Sequence, residues 1–296
     1  MEEKIKKIVE NILKNFRGTL GIGFKDLRED KEFYFNGDKR FLTASVFKVF
    51  VLIELYNQKV SEREDLDERH TLTEENKILP SGILQDMQEG LRPTVRDLAK
   101  LMMMISDNTA TDIIINILGK ENINKTIHNI LELKDTRVYL TTREMLLDMA
   151  GAQNVEDAKE NFEEIKINKN GKWTTDFEYN NVTTPKEMVK TLGFLYKKEI
   201  LTPEACKEII DIMKSCQTAE ARIKRFLPGN VKVAQKTGTM YGVVNNAGII
   251  FTSKRDYILV VFINGLDYES QPYMAVGENI IADISKNVYN AILKLN

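Results

Sequence analysis

The sequence is poor in the residues that build disulfide, metal and redox chemistry. Among 296 residues there are two cysteines, two histidines and one tryptophan. Cys206 and Cys216 fall in one helical stretch, about 15 Å apart along a helix axis, which is too far for a bridge. Two packed thiols are expected, not a secreted disulfide framework. His70 sits in a charged segment and His128 on a helical pattern. With the two cysteines they make no zinc-ligand spacing, so neither a metal nor another cofactor is expected. No G-x-S-x-G occurs, and a Ser-His-Asp hydrolase is disfavoured. Charge of one sign is also lacking, with 42 Lys and Arg against 44 Asp and Glu, so no basic face for nucleic acid stands out. No apolar run reaches the length of a membrane span. The stretch Val46 to Leu55 is broken by Lys48 and Glu54.

What is present is enough apolar content, 43%, to fill a packed core. Ile5, Ile8, Val9, Ile12 and Phe16 recur at helical spacing between charges. They predict an amphipathic surface helix instead of a signal-peptide core, so as written the chain reads as cytoplasmic, or else as one that begins after a removed signal. Strand-like runs follow at Thr19 to Lys25 and Glu32 to Phe35, with a turn signal at Asn36-Gly37-Asp38. Gly18, Gly21 and Gly23 lie within the first of these runs and do not make a phosphate loop. Helical patterns occupy the middle. One starts near Ser45, and one follows the capping-box pattern Thr94 to Asp97. Others run from Thr109 to Leu118, from Asn124 to Leu133, from Pro185 to about Tyr196 and from Pro203 to Met213. Met102 to Met104 read as core. Residues 153–178 are polar and lack apolar periodicity, which predicts an inserted loop or hairpin. Lys232 to Thr239, Val243 to Thr252 and Tyr257 to Asn264 read as three neighbouring antiparallel strands. Ile281, Ile284, Val288, Ile292 and Leu295 make one face of a terminal helix. The expected fold is α+β: an antiparallel sheet from both chain ends, flanked by the terminal helices, plus a central helical subdomain. We read 1–296 as a single domain, with 1–45 and 185–296 as its α/β part and 46–184 as its helical part. A cleft between sheet and helices is the natural place for a site.

Three short motifs carry chemistry. In Ser45-Val46-Phe47-Lys48, serine and lysine three apart share a helix face, and an amine there can lower the barrier to deprotonating the hydroxyl. Of eight serines only Ser45 has a lysine at that spacing. Alternatively the serine caps a helix and the lysine is solvated, but the apolar run around Lys48 argues for burial and a polar partner. In Ser106-Asp107-Asn108, a hydroxyl can relay a proton and an amide can bind a carbonyl or orient the lysine. An N-cap cluster is the structural alternative. In Lys236-Thr237-Gly238, Lys and Thr can hold a carboxylate, and Gly lets a substrate approach the strand edge. The backbone N–H groups of Thr239 and Ser45 can face an oxyanion.

Together and in this order, these motifs resemble the set of class A β-lactamases and penicillin-binding proteins. TASVFKVFVL resembles the family's nucleophile helix. SGILQDMQEGLRPTVRDLAKLMMMISDNTATDIIINILG resembles its second motif, LPGNVKVAQKTGTMYGVVNNAGIIF its third, and TTPKEM the start of a later helix. The likeness spans about 40 to 285. It implies that Ser45 is acylated, that Lys48 helps deprotonate it and that Ser106, aided by Lys236, passes a proton to the leaving nitrogen. It further implies substrate contacts from Asn108, Thr237, Gly238 and Thr239. The implied partner is a small β-lactam or D-Ala-type peptide, and the implied family is usually exported. The family's R-x-E-x-x-L-N pattern, whose Glu activates the hydrolytic water, does not appear. Asp135-Thr136-Arg137 resembles the segment just before it, and Glu144, Asp148 and Glu178 are alternative bases off the expected spacing. Acylation machinery reads as complete and deacylation as open. A protein that is acylated and releases slowly is the second reading, and an unreactive scaffold is the third.

Overall fold

In a computed structural model the described residues are 2–13, 16–163, 168, 176–267 and 272–294. The contacts divide the chain into two compact units, Met1–Val46 with Thr183–Glu199 and Cys216–Asn296, and Phe47–Val182 with Ile200–Ser215.

The first unit is built on a five-stranded antiparallel sheet. Its strands are β1 (Thr19–Asp26), β2 (Glu32–Phe35), β3 (Lys232–Met240), β4 (Val243–Phe251) and β5 (Tyr257–Asn264), in the order β2-β1-β5-β4-β3. The three C-terminal strands are neighbours, as their β-branched runs predict. β1 closes the two chain ends together by pairing along β5 from Thr19 opposite Asn264 to Asp26 opposite Tyr257. One sheet face is covered by α1 (Glu2–Leu13) and the C-terminal helix Tyr273–Leu293. Leu20, Ile22 and Phe24 of β1 alternate into that core with Leu259, Val261 and Ile263, meeting Val9 and the helix stripe Ile281, Ile284, Val288 and Ile292. Each fully buried aliphatic contributes about 1.5–3 kcal/mol. Leu295 lies outside the described residues.

The glycines of β1 serve the other face. A Cβ on Gly23 would lie 2.6 Å from Val189 Cγ2 and 2.9 Å from the Pro185 carbonyl, and one on Gly21 would enter the Phe41 ring. Pro185–Lys197, the helix that carries these contacts, therefore presses on the strand only because two side chains are missing.

The second unit is helical. Its elements are α2 (Lys48–Val60), α3 (Val95–Met104), α4 (Asn108–Leu118), α5 (Lys120–Lys125), α6 (Thr142–Ala150) and α7 (Val155–Glu163). Numbering then continues with α8 (Pro185–Lys197) of the sheet unit, α9 (Pro203–Lys214) of the helical unit and α10 (Tyr273–Leu293). α2 is apolar nearly all round because α3, α4, α5 and α9 surround it. Its one internal carboxylate, Glu54, is buried and accepts from Gln58 Nε2 at 2.6 Å, Asn57 Nδ2 at 2.9 Å and the Thr126 hydroxyl. The capping box at Thr94 forms as read, with Asp97 N donating to Thr94 Oγ1 at 3.1 Å.

Three sequence expectations change. Residues 155–163 are a helix, not a loop or hairpin. Asn154 caps it by accepting from Asp157 N at 2.9 Å, and a sparse stripe of Val155, Ala158 and Phe162 lines a small crevice with Leu146 and Leu147 of α6. The rest of the polar stretch, 164–167 and 169–175, lies outside the described residues. Cys216 falls beyond the end of α9 instead of within one helix with Cys206, although both thiols are buried and neither forms a disulfide. α9 itself groups with the helical unit, because its apolar face packs on α2 and α3.

Candidate active site

The helical unit holds one set of polar groups. Lys48, the first residue of α2, is fully buried. Its Nζ donates to Ser106 O at 2.7 Å, Ser106 Oγ at 3.1 Å and Asn108 Oδ1 at 2.8 Å. This satisfies an ammonium that would otherwise be prohibitively costly in an apolar run. Both readings of Ser106-Asp107-Asn108 hold, divided among its residues. Asp107 is the N-cap of α4, accepting from Ala110 N at 2.9 Å, and its other oxygen takes Ile83 N at 2.8 Å and Leu84 N at 3.0 Å. Ser106 and Asn108, on either side, turn to Lys48. Ser106 does so with a left-handed φ of 61°, a conformation that costs a non-glycine residue about 1 kcal/mol and is concentrated at functional sites. Asn108 Nδ2 also donates to the Pro80 carbonyl, so both ends of the amide are held.

Asp112 borders this set. It is buried, and burial pushes its carboxyl pKa up, while hydrogen bonds from Thr142 and Arg143 and the charge of Lys48 pull it down. The Thr142 hydroxyl donates to Asp112 Oδ1 and to Asn108 O, the latter at 3.2 Å. The sequence reading missed Asp112 and Thr142. A signal was available in Asp112, an acid inside the apolar run of α4.

The sheet unit holds the other set. Ser45 lies in a tight 3-10 turn, Ala44–Phe47, that leads straight into α2, so its place is one turn earlier than an α-helix start at Ser45 implies. Ala44, just before it, has φ of 43°. This turn packs on β3. A Cβ on Gly238 would come 2.4 Å from Thr43 O and 3.2 Å from Ala44 Cβ, so only glycine fits there. β3 is an edge strand, which leaves its outer backbone groups without a sheet partner. Side-chain alternation divides its motif. Lys236 and Gly238 share one face, and Thr237 and Thr239 the other.

Lys236 is fully buried and donates to Thr237 O at 2.9 Å. Burial lowers its pKa to about 8, with Cys216 pulling up and Arg222 pushing further down. On the opposite face the Thr237 and Thr218 hydroxyls are 2.5 Å apart. Arg222, nearly inaccessible, donates to Gly238 O at 3.1 Å, Asn245 O at 2.8 Å and Thr239 Oγ1 at 2.5 Å, with Glu278 beside it at 3.4 Å. Asn245 Nδ2 donates to Leu42 O at 2.8 Å and Thr43 O at 3.2 Å, and Asn246 Nδ2 to Lys236 O at 3.2 Å. These three residues fix the Ser45 turn and β3, and the sequence reading passed over them. Adjacent asparagines inside the β-branched run of β4 were the available signal.

Two of the three alternative bases are engaged elsewhere. Glu144 closes a capping box with Thr141 and pairs with Lys120 at 2.7 Å. Glu178 pairs with Arg137 at 2.7 Å. Asp148 is half-buried on α6.

A sheet of this order with flanking helices, together with a helical unit carrying a buried lysine on Ser106 and Asn108, defines an α+β protein of the β-lactamase-like fold. The profile of the Beta-lactamase enzyme family matches residues 2–292, and the chain belongs to that family. It is 24% identical over 296 residues to Beta-lactamase VEB-1 of Pseudomonas aeruginosa, covering 96% of this chain and 89% of the relative. A solved beta-lactamase from Sphaerobacter thermophilus superposes with a TM-score of 0.82 at 24% identity, covering 100% of this chain and 99% of that one. A variant of PBP-A, solved as its acyl-enzyme complex with penicillin G, superposes at 0.78 with 24% identity, covering 99% and 97%. Among the described residues no helix is long and apolar enough to cross a membrane.

Proposed function

We propose that the chain is a serine hydrolase of the class A type that opens β-lactam amides through an acyl-enzyme on Ser45 and releases the product slowly. The observation that carries this reading is the Lys48 amine held on Ser106 and Asn108, three residues along the chain from the serine. Once Lys48 has given up the proton its ammonium carries in the resting site, Ser45 Oγ attacks the amide carbonyl and its proton passes to Lys48 Nζ. The Oγ–C bond forms, the C–N bond breaks, and the leaving nitrogen takes a proton through the Ser106 hydroxyl. The backbone N–H groups of Ser45 and Thr239 receive the oxyanion. Lys236 and the Thr237 hydroxyl hold the substrate carboxylate, Gly238 admits the ligand to the strand edge, and Asn108 takes a substrate carbonyl with its remaining N–H.

Slow release follows from the carboxylates. Glu144 and Glu178 are committed to Lys120 and Arg137, and Asp112 to Thr142 and Arg143, so these three described carboxylates are not available to activate water. A solved structure of similar fold holds penicillin G as an acyl-enzyme, which suits the same behaviour here. A D-Ala-type peptide fits the same carboxylate and oxyanion groups.

Stopped-flow with a chromogenic cephalosporin and intact-mass spectrometry test this directly. A burst of one equivalent and a lasting adduct are expected, both absent in Ser45→Ala. Steady rapid turnover would remove the slow-release part. Intact drug with no adduct would remove the reading altogether.

A further inference from the structure

The stretch that joins α2 to α3 carries a cluster that the hydrolase chemistry does not use. Glu64, Glu68 and His70 each offer one ligand atom, and these atoms all lie within 4.8 Å of one another. Glu64 Oε1 and His70 Nε2 are shut off from water and have no hydrogen-bond partner. The one approach between the side chains, His70 Nε2 to Glu68 Oε1, is 3.9 Å, too long for a hydrogen bond. No lysine or arginine neutralises the carboxylates among the described residues. Arg69, between two of them in sequence, sends its guanidinium to Arg92 O at 2.7 Å. Buried acceptors with nothing to accept are costly, and here two of them converge with a second carboxylate.

The backbone beneath is fixed. His70 N donates to Pro93 O at 3.0 Å, Val95 N to Glu68 O at 2.9 Å and Arg96 N to Leu66 O at 2.8 Å. Glu68 and His70 are therefore presented from a short stretch paired to the start of α3, with Glu64 in the connection that leads into it. The Glu68 side chain is 60% exposed, which leaves a mouth for an ion and room for a water ligand.

We propose that Glu64, Glu68 and His70 bind a divalent transition-metal ion of the zinc class. One imidazole and two carboxylates suit zinc and its neighbours, whereas magnesium and calcium favour oxygen-only shells. Ligand atoms around tetrahedral zinc sit about 3.3 Å apart for bonds near 2.1 Å, so the carboxylates close in by about an ångström on binding. The ion pins the 64–70 segment that leaves α2, whose backbone already pairs with Pro93–Arg96. A motif scan confined to His and Cys overlooks it, because carboxylates in an E-x-x-x-E-x-H pattern supply two of the ligands.

The test uses the untagged full chain, stripped of metal, titrated with zinc against a chromogenic chelator and with cobalt by visible absorption. One ion per chain is expected, with a rise in melting temperature that magnesium does not reproduce. His70→Ala and Glu64→Gln each weaken binding by about tenfold or more, since even outer-shell losses reach that size. Glu68→Gln, at an exposed position, provides a variant that keeps its fold and shows the same direction. Circular dichroism checks each variant. No zinc uptake by the parent chain, or uptake unchanged in all three variants, overturns the assignment.

Discussion

Lys236 has to keep a charge where its surroundings oppose one. Burial, opposed by Cys216 and assisted by Arg222, brings its pKa from 10.5 to about 8. The folded value lies below the unfolded one, so between pH 8 and 10.5 the unfolded chain holds more protons and stability rises with pH across that window. Below it the buried charge costs the fold about 3 kcal/mol as an upper bound. In the proposed mechanism function has the opposite slope, because there only the cation holds a carboxylate. Acylation by a β-lactam should therefore fall as pH passes about 8, read as the burst rate at fixed drug. Lys236→Met should raise the unfolding free energy at pH 7 by about 1–3 kcal/mol and abolish the alkaline rise, while slowing acylation by about a hundredfold or more. Urea melts at pH 7 and 9.5 check the first two effects. A variant less stable than its parent at pH 7 would mean that the ammonium is worth more than its desolvation costs.

At the scale of elements, β3 is an edge strand made rigid from one side. Arg222 clamps Gly238 O, Asn245 O and Thr239 Oγ1, joining β3 to β4 beyond their ladder. Truncating it leaves carbonyls and Glu278 uncompensated, so Arg222→Ala should cost about 3–5 kcal/mol. Arg222→Lys keeps the charge but loses the planar fork. It should recover most of the stability yet still slow acylation, because Thr239 is no longer fixed. Full stability with full acylation in Arg222→Lys would show that charge alone suffices. The elements themselves were largely legible. Runs rich in β-branched residues marked β3, β4 and β5, and Thr94 with Asp97 marked the start of α3, because periodicity and capping are local properties. α7 was not legible, since three apolar residues in nine give almost no periodic signal until α6 supplies the surface they meet. The motif residues showed for the same local reason. Arg222, Asn245 and Asp112 did not, because their importance lies in partners far away in sequence, such as Asn245 with Leu42.

For the whole molecule, surface pairing decides the acid side of stability. The hydrogen bond from Lys31, then that from Arg255, holds Glu29 down to about 2, and Lys25 and Lys197 lower Asp30. In the helical unit the Thr94 hydroxyl lowers Asp97. Burial works against Glu144 and Glu208, but Lys120 and Lys59 prevail and both are lowered. Each folded pKa lies below its unfolded value. Their contributions are thus present above the ordinary value of 4.5 for Glu29 and are lost as pH falls toward about 2. Asp112 works the other way. Burial raises its pKa, so its protonation favours the fold on acidification. The lowered groups are distributed over both units and outnumber it, so the net slope should be a loss of stability from about pH 5 downward. These pairs lie at or near the surface, where salt at about 1 M screens beyond roughly 3 Å. Thermal melts from pH 7 to 2 should therefore show an acid limb that salt makes shallower. An acid limb of equal slope with and without salt would assign it to buried groups instead.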